Sequence, residues 1–339
     1  MDMVTLVLGS PRGRFFCANV AYACSADDRA ADYNRPRAPA DVLEVIEGVD
    51  VRAVSELSER DILEALAFAT DFARYWQPPD EEDIWFARQD VLTALRPIAS
   101  AVLECPLTRW WSDPVDLANQ RMVAHRISGV EWPESTTPYR STDAALGRWR
   151  EHVLEGESRF RQWRIKRPDN RIGGEWWSIP SPSAARETSR ARDWLGALSL
   201  ILEEDSSSMG EARVWPVTVH GTPRVYEIDK PTAWAQLVDA YPLAVPDSKR
   251  SDWLDTTGEV HNWFIPDWAA VAHDFDGVHL TLHGYLTTPG IAIPLQNNDG
   301  ATVLAGFDPD TTWWLNVDAV HIEDEPTLWR VDDEHWVRV

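Results

Sequence analysis

The chain has 339 residues, 44% of them hydrophobic, and a formal net charge of -23 from 55 acidic and 32 basic residues. This length and apolar content predict a globular protein with a substantial core, and the negative mean field excludes non-specific binding to nucleic acids or to anionic membranes. No apolar run approaches the roughly 18 residues of a membrane span, and the three cysteines lack ligand spacing, so we expect a cytoplasmic protein.

The first half of the chain carries apolar residues at helical spacing. Ser58 and Asp61 form a capping-box pattern at the start of a helix that Pro78-Pro79 ends. Four carboxylates from Asp80 to Asp83 begin the next helix, where they oppose the positive end of its dipole. Further helices are expected over residues 14–24, 41–47 and 146–163, the last one interrupted at Gly156. Residues 25–39 are expected to form a loop, and residues 105–138 to be irregular.

After Gly174 the pattern changes to short apolar runs separated by turns, which is typical of β-strands. Because the later strands follow too closely for parallel crossovers, the sequence predicts an α+β fold with a largely antiparallel or mixed sheet. A mainly helical region (1–167) would pack on an α+β domain (168–339) that carries the site. Helices are expected over residues 231–241 and 266–275, and strands over 176–179, 197–202, 214–219, 224–228, 263–265, 278–282, 291–295, 301–305 and 312–315. From Glu325 onward we expect a docked tail.

Histidines and aspartates are dense between residues 273 and 283. From Val278 a period of two places His279, His283 and Tyr285 on one polar strand face. Strand residues four positions apart lie about 13 Å apart, so His279 and His283 are too distant to share one ion. We therefore expect no metal site, and polar strand residues that make cross-strand hydrogen bonds instead.

Three stretches in the second half carry residues suited to nucleotide chemistry. They are RVYE at 224–227, residues 279–288 ending in GYLTT, and FDPDTTWWL at 307–315. In this order they resemble the bacterial ADP-ribosyltransferase fold, which places an Arg or His on an early strand, a Ser, Thr or Tyr on a middle strand, and an acid on a late strand. The sequence His220-Gly221-Thr222 also resembles the His-Gly-Thr of the poly-ADP-ribose polymerase branch.

The resemblance covers residues 214–315 and implies an NAD-using transferase or NAD glycohydrolase. Tyr285 would then stack on nicotinamide, and Asp310, where the family usually has Glu, would stabilise the oxocarbenium-like charge. His220 or Arg224 would hold the NAD ribose or a phosphate. The residues implied in NAD binding are His220, Arg224, Tyr226 and Thr287.

The nineteen tryptophans support a second hypothesis. Adjacent pairs such as Trp176-Trp177, together with Tyr226, Tyr285 and acidic loops, would line a groove for a protein partner or a cationic ligand, since ring faces and carboxylates attract positive charge. A core of large rings is the other interpretation of these tryptophans. The sequence thus leaves two functions open: an NAD-using ADP-ribosyltransferase-like protein, or a non-enzymatic interaction protein with a Trp-lined acidic groove.

Overall fold

The computed structural model describes residues 2–25, 39–129, 143–168, 171–206 and 208–339. The predicted α+β class is confirmed, since helices dominate the first half of the chain and most strands lie in the second half. The loop expected over residues 25–39 falls almost entirely outside these ranges. The division at residue 167 stays a prediction.

The N-terminal helices bury apolar faces against one another and against the sheet domain. They are α1 (Met3–Gly9), α2 (Pro11–Cys24), α3 (Pro39–Gly48), α4 (Glu59–Asp71), α5 (Glu81–Phe86), α6 (Gln89–Glu104) and α7 (Asp143–Lys166). The predicted capping box is present at α4: the Ser58 hydroxyl accepts from the Asp61 N–H, and the Asp61 carboxylate accepts from the Ser58 N–H. These bonds satisfy backbone donors that have no partner within the helix.

One helical prediction needs correction, and one helix was not predicted. Gly156 does not interrupt α7, because one glycine costs only about 1 kcal/mol in a long helix with favourable neighbours. The sequence analysis did not predict α1, which buries Val7 and Leu8 and is capped by the Asp2 carboxylate, 2.9 Å from the Thr5 N–H. Tertiary burial stabilises this seven-residue helix, which is too short to be stable by itself.

The main sheet is mixed. In the described ranges its strands run in the order β13-β12-β3-β1-β2-β10-β7-β4, and β11 also pairs with β3. Each pairing is antiparallel except that of β4 with β7. The strands are β1 (Gln120–His125), β2 (Arg186–Arg190), β3 (Glu211–Val219), β4 (Val225–Ile228), β5 (Pro242–Ala244), β6 (Phe264–Pro266), β7 (Gly277–Leu280), β8 (Ile293–Pro294), β9 (Ala301–Thr302), β10 (Thr311–Trp314), β11 (Val320–Ile322), β12 (Thr327–Asp332) and β13 (His335–Arg338). Strands β5 and β6, and β8 and β9, form two small separate sheets.

Strand β1 corrects the expectation of irregular structure over residues 105–138. It lies between β2 and β3 in the middle of the sheet, although it belongs to the half of the chain expected to be helical. Its sequence, QRMVAH, lacks a clear alternation of apolar and polar residues. Its position depends on pairing with strands more than sixty residues away, for example Gln120 with Arg190. The same loop also contains a 3-10 helix, Pro106–Ser112.

Three strand predictions are also wrong. Residues 176–179 form no strand, and their place beside the core is fixed by the Ser178 N–H, which donates to Ala305 O at 2.9 Å. Residues 197–202 contain a 3-10 helix, Leu198–Leu200. The strand expected to continue toward Tyr285 ends at Leu280.

A helix replaces the end of that strand because of a local cap. The Thr281 hydroxyl accepts from the Gly284 N–H at 2.9 Å and caps the N-terminus of helix α11 (Leu282–Thr287). Gly284 approaches the Ile228 carbonyl so closely that an added Cβ would lie 2.0 Å from its oxygen. Tyr285 therefore lies on a helix and shares no strand face with His279. The helices of this half are α8 (Pro231–Ala240), α9 (Arg250–Thr257), α10 (Trp268–Asp274) and α11 (Leu282–Thr287).

The C-terminal residues dock as the hairpin β12-β13 at the edge of the sheet. Trp329 packs directly over Gly196, where an added Cβ would lie 2.5 Å from the indole ring. In the described ranges no single helix is both long and apolar enough to cross a membrane. Only α6 together with Pro106–Ser112 meets the length and composition required, across an 83° bend.

Candidate functional site

A pocket of about 450 Å3 opens between α7, the segment 175–182 and the end of the sheet. Helix α7 contributes Trp149 and His152, and its Gly156 leaves room because it has no side chain. Acidic and aromatic side chains from the second half of the chain complete the wall. We call it the Trp-lined pocket, and its tryptophans are Trp149, Trp176, Trp177 and Trp313.

Packing and a hydrogen bond fix Trp176 on the inner side of this pocket, and Trp177 is partly exposed to solvent on its outer side. Trp176 lies edge-to-face with Trp177 at 5.6 Å and packs on Trp76 at 4.8 Å. The Trp253 indole N–H donates to the Trp176 carbonyl at 2.8 Å and fixes this segment. Trp177 is 39% exposed, whereas Trp313 is buried with an indole N–H that has no partner. The pocket thus offers ring faces and one free donor.

Carboxyl groups cluster on the same pocket wall. We call the following residues the acid cluster: Glu187, Glu203, Glu204 and Asp308. Glu187 and Asp308, which we call the acid pair, both line this wall. Burial raises the pKa of Asp308 well above its usual range, and the charges of Glu187 and Glu204 raise it further. Burial also raises the pKa of Glu187 to about 7, with Glu203 adding to the effect.

Glu187 and Asp308 differ from the ion-paired buried carboxylates in their lack of a basic partner among the described residues. Asp310 is paired with Arg190 at 2.8 Å, and Asp247 with Arg161 at 2.9 Å. Within the residues that the structure describes, no basic side chain pairs with Glu187 or Asp308. The closest compensation is His125, whose Nε2 lies 3.5 Å from Glu203. Carboxyl groups in a pocket whose pKa values are strongly raised make that pocket a candidate functional site.

Glu204 joins the acid cluster to the protein core. Its carboxylate accepts hydrogen bonds from the Tyr75 hydroxyl at 2.7 Å, the Tyr285 hydroxyl at 2.9 Å and the Gly306 N–H at 2.9 Å. Burial raises the pKa of Glu204 to about 7, and the two tyrosines oppose that effect. Its backbone N–H donates to Asp308 at 2.8 Å, so Glu204 also orients the acid pair.

Lys249 lies in the pocket wall beside Trp177. It is 4% exposed, and its Nζ lies 5.8 Å from the centre of the Trp177 ring. Burial lowers the pKa of Lys249 to about 8, although Glu175, Asp252 and Glu157 oppose that effect. The charge of Lys249 is therefore compensated by carboxylates outside the acid cluster.

Asp310, the predicted catalytic acid, belongs to a separate buried network. Its carboxylate accepts from Arg190, and the His279 Nε2 lies 3.4 Å away. His279 makes the expected cross-strand contact, with its Nδ1 2.6 Å from the Glu227 carboxylate on β4. Burial opposes protonation of His279, but hydrogen bonds to Asp310 and Glu227 raise its pKa to about 8. Asp310 adopts a left-handed backbone, with φ of 54°, at the turn into β10.

The other residues that the resemblance implies lie apart from this network. Tyr285 is fully buried, and its hydroxyl donates a hydrogen bond to the Glu204 carboxylate. His220 and Arg224 are exposed, while Tyr226 and Thr287 donate their hydroxyl protons to backbone carbonyls. Each of these described residues has its own contacts, and they are absent from the lining of the Trp-lined pocket. Their role in NAD chemistry stays a prediction.

Sequence reasoning selected the paired tryptophans of this pocket but neither its carboxyl groups nor Lys249. Glu187 and Asp308 are brought together by the pairing of β2 with β10, in which Trp313 lies opposite Glu187. One usable signal was Glu203-Glu204 directly after the apolar run LSLIL, because carboxylates that continue a buried segment need partners. Another was Lys249, one of three lysines in a chain rich in arginine.

The described residues contain no group of three or more His, Cys, Asp or Glu side chains arranged to hold a metal ion. Comparison of the chain with protein-family models, with curated proteins and with solved structures gives no match.

Proposed function

We propose that the Trp-lined pocket binds a small organic cation, such as a substituted ammonium or a guanidinium group. The observation that carries this proposal is the uncompensated acid pair Glu187 and Asp308 beside tryptophan faces. A bound cation would supply a positive partner for the acid pair, because the charge of Lys249 in the same pocket is balanced by Glu175, Asp252 and Glu157. Tryptophan faces attract cations within about 6 Å of the ring, and more strongly where water is excluded.

The role of each residue follows from its position. Glu187, in its ionised form, would pair with the ligand charge, and Glu203 would add to the negative potential. Trp177, the exposed ring, would cover the cation. Glu204 would act as a positioning residue, because two tyrosines and a backbone N–H already occupy its carboxylate.

Calorimetric titration with choline, butylamine and arginine amide tests the proposal. The uncharged isostere 3,3-dimethylbutan-1-ol controls for apolar binding to the tryptophans. We expect at least one cation to saturate and the alcohol to bind at least tenfold more weakly. Glu187→Gln should weaken cation binding at least tenfold. Glu56→Gln, at an exposed glutamate that does not line the pocket, should leave the affinity unchanged. Equal affinity for the cation and the alcohol would refute the proposal.

NAD is a second candidate ligand, favoured by one observation. Its nicotinamide ring is an aromatic cation, the class of group that tryptophan faces beside carboxylates suit. In this form of the hypothesis, nicotinamide enters the Trp-lined pocket, and the chemistry would be that of a transferase or NAD glycohydrolase.

Nicotinamide release from NAD distinguishes the two placements of this chemistry. Loss of release in Glu187→Gln alone would assign it to the pocket, and loss in Asp310→Asn alone would assign it to the residues implied by the resemblance. Circular dichroism must show that both variants fold, because Asp310 is ion-paired in the core. No release by the unaltered protein would exclude NAD as a substrate.

A further inference from the structure

A second cavity, of about 240 Å3, lies where helix α2 begins. Three arginines line it, Arg12, Arg14 and Arg74, with Asp83 as their acidic neighbour. This excess of positive charge contrasts with the net charge of -23 on the whole chain. We call it the arginine cavity.

Two of these arginines carry buried donors that the protein does not use. Arg12 is 2% exposed, and its Nη atoms donate to Ala69 O at 2.7 Å and to Asp83 at 3.0 Å, but its Nε has no partner. Arg14 donates through Nη1 to Leu8 O at 3.2 Å, and its Nε is likewise buried without a partner. An unused buried donor on a charged group is costly, and both lie on arginines that line this cavity, so an anion bound there would offset charge that the protein leaves poorly compensated.

The charges around the cavity also favour an anionic ligand. Burial lowers the pKa of Arg14, which means that its charged form is poorly compensated where it lies. Asp83 balances Arg12, and burial raises the pKa of this carboxyl group. The positive end of the α2 dipole adds to the field, and the N-cap Ser10 makes no side-chain capping bond.

We propose that the arginine cavity binds a phosphate-type oxyanion, free or as the phosphate group of a larger molecule. A guanidinium presents neighbouring N–H groups in a plane that match two oxygens of such an anion, which a single-point donor does not. The cavity volume of about 240 Å3 is many times the roughly 15 Å3 that one water needs, so a group several times the size of water has room there. Tyr75 lines this cavity and donates to Glu204 of the Trp-lined pocket at 2.7 Å, so the two sites are neighbours.

The test is thermal unfolding with increasing inorganic phosphate, at constant ionic strength set with chloride. We expect a saturable rise in Tm with phosphate. Phenyl phosphate serves as the probe for a phosphate monoester: a larger rise than with phosphate would indicate a group carried by a larger molecule, and a smaller one would indicate the free anion.

Variants locate the effect. Arg14→Gln should weaken phosphate binding at least tenfold, and Arg14→Lys should restore only part of it because the planar fork is lost. Arg88→Gln, at an exposed arginine paired with Asp90, is the matched control and should bind as the unaltered protein does. Arg12 is left intact, because removing one partner of its buried ion pair with Asp83 is expected to destabilise the fold.

No saturable rise, or equal rises in Arg14→Gln and Arg88→Gln, would overturn the proposal. Glu187→Gln separates it from the proposed function: that variant should lose the organic cation and keep the phosphate effect. Phosphate binding with no cation binding would leave the arginine cavity standing and reject the role of the Trp-lined pocket.

Discussion

Burial raises the pKa of both Glu187 and Asp308, so a proton on either carboxyl group competes with any cation that enters the Trp-lined pocket. Glu187, whose pKa is raised to about 7, is mostly protonated at pH 6 and mostly ionised at pH 8. A cation should therefore bind more tightly as the pH rises through 7, because binding releases the proton.

We expect the affinity for the best organic cation to rise roughly tenfold between pH 6 and pH 8, in line with the ionised fraction of Glu187. Calorimetry at pH 6, 7 and 8, in buffers with different ionisation enthalpies, measures both the affinity and the released proton. Glu187→Gln should remove most of the pH dependence. An affinity that falls with pH would contradict the assignment.

Lys249 gives a chemical probe of the same pocket. Its pKa, lowered by burial to about 8, predicts that acylation by a small reagent increases with a midpoint near pH 8. Peptide mass spectrometry can follow it separately from exposed Lys166 and Lys230, which are the only other lysines. A saturating cation should protect Lys249 and leave the two reference lysines unchanged. Equal labelling with and without ligand would place the ligand elsewhere.

At the scale of elements, the short helix α11 depends on a close backbone approach. Gly284→Ala would put a Cβ 2.0 Å from the Ile228 carbonyl oxygen and push α11 away from β4. We expect a loss of about 1 to 3 kcal/mol in the free energy of unfolding, as for overpacked cores. Urea denaturation measures it.

The matched control for that substitution is Gly147→Ala in α7. An added Cβ there meets no atom within 4 Å, and alanine is the better helix former. We expect a gain of about 0.5 to 1 kcal/mol. If the Gly284→Ala protein were as stable as the Gly147→Ala protein, the close approach of α11 to β4 described above would be contradicted.

The whole molecule should become more stable as the pH falls from about 8 to about 5. The pKa values of His279, Glu187 and Glu204 are raised in the folded state to about 8, 7 and 7. A raised pKa adds stability that is present below the unfolded value and is lost as the pH rises through the folded value. The depressed pKa of Lys249 acts in the opposite sense, but between about 8 and the usual lysine range.

Urea unfolding at pH 5, 6, 7 and 8 measures this effect. We expect the free energy of unfolding to be larger at pH 5 than at pH 8, by about 1 to 3 kcal/mol after allowance for solvent screening. Glu187→Gln should reduce the slope between pH 5 and pH 7, since glutamine does not titrate. Greater stability at pH 8 than at pH 5 would show that these groups do not dominate.

Sequence by itself determined the α+β class and the elements with strong local signals. The capping box of α4 and the apolar periodicity of α8 are local properties, and these helices begin close to where they are predicted. The sequence also predicted a Trp-lined acidic groove, whose role in binding stays a prediction. Trp176 and Trp177 line the pocket described above, whereas Tyr226 and Tyr285, expected in the same groove, do not.

Tertiary structure alone decided the position of β1, the helix at Tyr285 and the make-up of the pocket. Strand pairing joins segments far apart in the chain, so no local pattern places β1 between β2 and β3. Burial decides which carboxyl groups keep a proton, and it separates the ion-paired Asp310 from the uncompensated Asp308 only two residues earlier. The physical reason is that desolvation and charge pairing depend on neighbours that the sequence brings together only after folding.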